Sequence, residues 1–189
     1  MSRGSKEAPP LRKNQIIPLQ ITGMTAEGQG VGHFCGLAVF VAHAAPGDEA
    51  DVRIVKVQKN LAYGIIEQMH TPSSDRTAPQ CSVYPKCGGC VFQHISYEAE
   101  CRIKAQIVSD AFTRIGHLEP ETLLPIYGAE KPSGYRNKTQ YPCGTDPETG
   151  KPCFGFYAPR SHRLVPVNDC KLQPERFGDI LRICEAQLA

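Results

Sequence analysis

No stretch of this chain is apolar for long enough to cross a membrane, and no charged segment followed by an apolar run opens it as a secretory leader would. Membrane-spanning and secreted classes are therefore set aside. Net charge is scarce as well, at +2 over 189 residues, so the overall balance points to no partner until it is divided along the chain. Cysteine, by contrast, is plentiful. The count is nine, an odd number that a complete disulfide framework cannot use up, and so many thiols without a leader fit the reducing cytoplasm. A hydrophobic share of 41% is ordinary for a globular protein. Disorder throughout is excluded, and the length accommodates one large domain or two small ones.

Cys81, Cys87 and Cys90 stand in a C-x5-C-x2-C array with Gly88 and Gly89 inside the tighter step. Thiolates spaced this closely converge on a metal, and the glycine pair lets the backbone turn between two ligands. The candidate for the fourth ligand is Cys170, which lies far along the chain among polar turn formers, just ahead of an expected helix. Zinc ribbons usually bring their ligands in two close pairs, whereas three clustered cysteines with a remote fourth is a frequent iron–sulfur arrangement. A 4Fe-4S cluster is the first expectation, zinc the second and reduced structural thiols the third.

Residues 1–13 read as a flexible tail whose one notable apolar side chain is Leu11. Residues 14–72 then change to short β-type runs at Ile16–Met24, 31–34, Leu37–Ala42, 50–57 and 61–69, the pattern of a small five-stranded barrel. Gly28, Gly30 and Gly32 resemble a cofactor fingerprint, but no helical period follows them. They are read as the bend between the first two strands. A polar, proline-bearing linker at 71–80 places a boundary ahead of a second domain, 73–189, expected to be α+β. There Ser96 caps a helix whose stripe is Ile103, Ile107, Val108, Ala111, Phe112 and Ile115, with Gly116 as its stop. Cys35 and Cys101 are read as packing residues and His94 as a hydrogen-bonded structural one.

Positive charge gathers late, where Lys131, Arg136, Lys138, Lys151, Arg160 and Arg163 face only Asp146 and Glu148. Residues 135–141 read as a strand with Arg136 and Lys138 on one face, followed by strands at 154–158 and 163–167 around a turn bearing Arg160. Basic residues interleaved with Tyr135, Tyr141, Phe154, Phe156 and Tyr157 suit RNA phosphates and bases, though the same pattern also describes an ordinary sheet with a buried aromatic face. A second amphipathic helix beginning near Pro174 runs to the end of the chain without a cap, as it would in a chain cut there.

With the barrel, the thiol array and Cys170 in place, the sequence resembles the iron–sulfur branch of the RNA uracil-5-methyltransferases that act on 23S rRNA. Residues 13–70 look like that family's TRAM domain, including Phe40-Val-Ala and Pro46-Gly-Asp. The triad with Gln93-His94 matches the cluster motif, Cys170 sits where the family keeps its fourth ligand, and Gly134-Tyr-Arg-Asn-Lys138 matches a basic strand of the central domain. The resemblance implies a cytoplasmic, monomeric protein that binds RNA through Arg136, Lys138, Arg160 and Arg163, with S-adenosylmethionine used by a catalytic domain outside this chain. No catalytic residue is nominated here, and Cys143, Cys153 and Cys184 are rejected as nucleophiles because no base accompanies them. Alone, the chain is expected to be inactive. The alternatives are a free-standing iron–sulfur electron carrier and a zinc-binding RNA module.

Overall fold

The computed structural model describes residues 11–119 and 123–188. The chain divides between Arg76 and Thr77 into two compact units.

The first unit is a closed barrel of β1 (Ile16–Met24), β2 (Gln29–Phe34), β3 (Leu37–Ala42), β4 (Glu49–Val57) and β5 (Leu61–Thr71), in the order β1-β2-β3-β5-β4. Strand alternation explains its core. Ile17, Leu19 and Ile21 of β1, Val39 and Val41 of β3, and Val52 and Ile54 of β4 all point inward and are at most 5% exposed. Burying each such side chain contributes about 1.5–3 kcal/mol. The β3–β5 pairing is parallel and every other pairing antiparallel.

Three expectations change in this unit. The expected tail lies outside the described residues up to residue 10, but Leu11 is 1% exposed and part of the barrel core, while the charged Arg12 and Lys13 stay in solvent. Gly28 alone occupies the β1–β2 bend, with φ +72°, while Gly30 and Gly32 belong to β2. At Gly32 a Cβ would come within 2.5 Å of the Gln20 carbonyl oxygen, so a side chain there would separate β1 from β2. The glycines are structural. Cys35 is exposed in the β2–β3 turn, at φ +46°, rather than packed.

The barrel strands end at Thr71, and one buried side chain ties the residues that follow, up to Arg76, to the same unit. Asp48 is fully buried after the tight turn at Gly47 and accepts from Ala45 N (2.6 Å), Ser73 N (2.9 Å), Arg76 Nε (2.7 Å) and Arg76 Nη2 (2.7 Å). Burial alone would raise its pKa. The Arg76 guanidinium, the two amide donors and the positive charge beside it outweigh burial and hold the carboxyl below its ordinary value.

The second unit contains α1 (Tyr97–Arg114), an antiparallel sheet of β6 (Cys143–Thr145), β7 (Pro152–Tyr157) and β8 (Leu164–Pro166), and α2 (Arg176–Leu188). Ser96 caps α1 as expected, its hydroxyl accepting from Ala99 N at 3.2 Å. The stripe does not form a core. Val108, Phe112 and Ile115 are 47%, 36% and 80% exposed, and among the described residues of α1 only Ala99 is buried. Periodicity shows which side chains share a face, not what covers that face. The second helix packs on β7, burying Leu181, and Glu185 Oε1 accepts from Phe154 N at 3.2 Å.

Residues 135–141 are not a strand. Gly134 takes φ +68°, and the segment's bonds outside its own run go to the loop after β8, from Gly134 N to Lys171 O and from Arg136 N to Leu172 O, both 2.9 Å. With the extended ladder absent, period-two alternation fails: Arg136 is half-buried, whereas Lys138 and Gln140 are exposed.

Candidate metal centre

The thiol loop, residues 81–90, is a run of turns held by Tyr84 N to Cys81 O and Cys87 N to Val83 O. Gly88 closes it onto the hairpin. Its amide donates to Tyr157 O at 3.0 Å, and a Cβ there would meet that oxygen at 2.8 Å, so close approach of two backbones requires glycine. The Gly89 amide donates to Cys87 Sγ at 3.4 Å, while the Cys81 amide donates to Gln93 Oε1 at 3.2 Å.

Beneath the loop, Tyr84 and His94 are buried at 2% and 4% exposure. The Tyr84 hydroxyl donates to Val91 O at 2.9 Å and lies 2.6 Å from His94 Nδ1. The Tyr84 hydroxyl thus bridges Val91 and His94. His94 therefore supports the loop from behind and does not line the thiol cavity. Sequence reasoning did not single out Tyr84. Its signal was an aromatic inside an otherwise polar cysteine loop.

Cys81, Cys87, Cys90 and Cys170 line one small cavity of about 20 Å³, together with Arg136, Phe156, Val167 and Lys171. All four are free thiols. Cys170 and Cys87 also pack against Ala158, Val165 and Val167, so the hairpin brings the remote cysteine to the loop. The cysteines sense one another electrostatically. Burial first, then Cys81 and Cys170, push the Cys87 thiol up against the opposing Gly89 amide and Arg136, and burial with Cys170, Cys87 and Cys81 does the same to Cys90.

Among the described residues, no three His, Cys, Asp or Glu side chains converge closely enough to hold a metal ion as they stand. The donor set nevertheless fits a thiophilic metal: four thiols, no competing carboxylate in the wall, and two cations beside them. Burial and Cys170 raise the Tyr141 pKa, and its hydroxyl donates to Gln173 Oε1 at 2.7 Å. Gln173 Nε2 is left a buried donor with no partner among the described residues. The cavity has room for about one water, so a single ion needs the sulfurs to close in and a cubane needs the loop to move outward.

The basic residues separate into two groups. Arg136 lines the thiol cavity, whereas Lys138 and Arg163 are exposed and Arg160 sits at the exposed hairpin tip with φ +54°. The aromatics divide too. Tyr141 and Phe156 pack at 4.8 Å between ring centroids, while Tyr135 and Tyr157 are 61% and 45% exposed.

The TRAM domain family matches residues 10–66. A Clostridium tetani protein described as an uncharacterized RNA methyltransferase is 42% identical over 174 residues, covering 92% of this chain and 37% of that protein. One from Thermosynechococcus vestitus is 42% identical over 90% of this chain and 37% of its own length, and one from Bacillus cereus 37% identical over 96% and 40%. The chain thus spans well under half the length of these curated relatives. Among solved structures, Pyrococcus abyssi tRNA (uracil-54, C5)-methyltransferase with S-adenosyl-L-homocysteine shares the fold, with TM-score 0.59 at 20% identity over 89% of this chain and 36% of that one.

Proposed function

We propose that this chain is the RNA-binding, iron–sulfur part of an S-adenosylmethionine-dependent RNA (uracil-5-)-methyltransferase, cytoplasmic and monomeric, with 23S rRNA as substrate. The observation that carries the reading is a barrel matching TRAM in the same chain as four thiols around one cavity. Cys81, Cys87, Cys90 and Cys170 would hold the 4Fe-4S cluster. Bound there, it supplies a covalent cross-link between the thiol loop and the loop after β8. Methyl transfer, with its cofactor site, belongs to the remainder of the parent protein, and no residue of this chain is assigned to it. A zinc-holding RNA module is the second reading, favoured by a cavity close to the size of one water.

Lys138, Arg160 and Arg163 are the exposed cations assigned to RNA phosphates, and Tyr135 and Tyr157 the exposed rings available to bases. Single-stranded RNA should bind weakly, with little sequence preference and with an affinity that falls steeply in salt, because each phosphate contact releases counterions. Converting Lys138, Arg160 and Arg163 together to glutamine should flatten the slope of log affinity against log salt by about two units, at about 0.7 per contact on a single strand. Filter-binding titrations at several salt concentrations measure this. An unchanged slope and affinity would return the hairpin to an ordinary solvated sheet face.

A further inference from the structure

We propose that Arg136 is the counter-charge of the thiol site, its guanidinium offsetting the excess negative charge of the metal–thiolate centre instead of meeting RNA. The inference rests on the metal reading of the four cysteines given above.

Placement is the first support. Arg136 is half-buried and shares the cavity wall with Cys81, Cys87, Cys90 and Cys170. Lys171, the other cation in that wall, is already engaged, with Nζ 2.6 Å from Asp169 Oδ2. The Arg136 guanidinium has no hydrogen bond or ion pair with any described residue. Such a half-buried cation needs a partner, because desolvation without one is costly. No carboxylate lines this cavity; Glu98 and Glu100 line the larger one that Arg136 also borders, but neither pairs with it. The thiols are the groups in the wall that can become anionic.

Backbone anchoring is the second support. Arg136 N donates to Leu172 O and Gly134 N to Lys171 O, so the segment carrying the guanidinium is fastened to the loop that presents Cys170. Movement of that loop on metal loading would carry Arg136 with it. Four thiolates around a divalent ion, or around an oxidised cubane, keep about two excess negative charges. A planar guanidinium with a fork of donors can face such a centre along one edge, which a flexible ammonium does less well.

The test compares the wild-type chain with R136Q and R136K, each reconstituted without oxygen with iron and sulfide, and in parallel with Zn²⁺ alone. R136Q should lose metal to a chelator about 10–100-fold more readily, the usual effect of removing a partner that surrounds a metal site. R136K should recover most of that loss. In the iron form, the R136Q midpoint potential should move to more negative values, since reduction adds an electron to a centre deprived of its counter-charge, and R136K should restore it. The salt slope for RNA should stay at the wild-type value in R136Q. Unchanged chelator resistance and midpoint in R136Q would overturn the proposal, as would R136K behaving like R136Q, or R136Q retaining its metal while losing a unit of salt slope. A wild-type chain that takes up neither iron nor zinc would remove the metal reading and this inference with it. That failure is read on the wild type alone.

Discussion

Replacing Cys170 with alanine is expected to strip the chain of its metal as completely as replacing Cys87 does. The two positions are far apart in sequence, yet both sulfurs line the same cavity and both pack on Ala158, Val165 and Val167. Each substitution removes one of four covalent anchors. Because metal binding at structural thiolate sites is worth about 10–16 kcal/mol at neutral pH, losing an anchor should drop occupancy to below about a tenth of wild type under chelator challenge. Cys35→Ala and Cys184→Ala are the controls, since both side chains are exposed and outside the cavity. They should keep full metal content. Occupancy should also rise with pH. Burial and mutual proximity push the Cys87 and Cys90 thiols up, so at neutral pH the metal must displace protons to bind. Metal analysis of the four variants decides the point, and full retention in Cys170→Ala with loss in Cys87→Ala would show that Cys170 is not a ligand.

Removing the Asp48 carboxylate should cost the barrel roughly 3–5 kcal/mol, the range for breaking a buried ion pair from one side. That is a large fraction of what a domain this small commands. An exposed pair such as Arg53–Glu67, with both side chains about 40% accessible, is worth under about 1 kcal/mol. Asp48 differs because it is fully buried and satisfies four donors, so Asp48→Ala leaves the Ala45 and Ser73 amides and the Arg76 guanidinium short of an acceptor. The pH dependence has a definite sign. The folded pKa is depressed, so the contribution is fully present above the ordinary carboxylate value and is lost as pH falls through the lower, folded value. Urea unfolding followed by hydrogen exchange of barrel amides should show the loss, and the gap between wild type and Asp48→Asn should narrow in acid. A cost below about 1 kcal/mol would place Asp48 among ordinary surface charges.

What could be read from the sequence was local. Alternation in β1, β3 and β4 marks the inward face because a strand's period is independent of what it packs against, and the Ser96 cap is written within four residues. Cys81, Cys87, Cys90 and Cys170, grouped by ligand spacing and the family resemblance, line one cavity, yet among the described residues no three of them stand close enough to hold an ion. Long-range partners were not legible. Nothing in the spacing of Asp48 and Arg76, twenty-eight positions apart, announces their ion pair, and it is this pair that ties the residues after β5 to the barrel. The strand face given to Arg136 does not exist, since alternation assigns faces only where a ladder forms. The stripe of α1 was legible as a shared face, but its exposure was not, because periodicity does not tell what covers a face.

The central claim is that these thiols hold an iron–sulfur cluster in an RNA-binding chain, and elemental analysis of the wild-type protein purified without oxygen tests it most directly. The account predicts a brown protein with about four irons and four acid-labile sulfides per chain, the composition of a 4Fe-4S cluster on four cysteines. One zinc per chain with no iron or sulfide would contradict it.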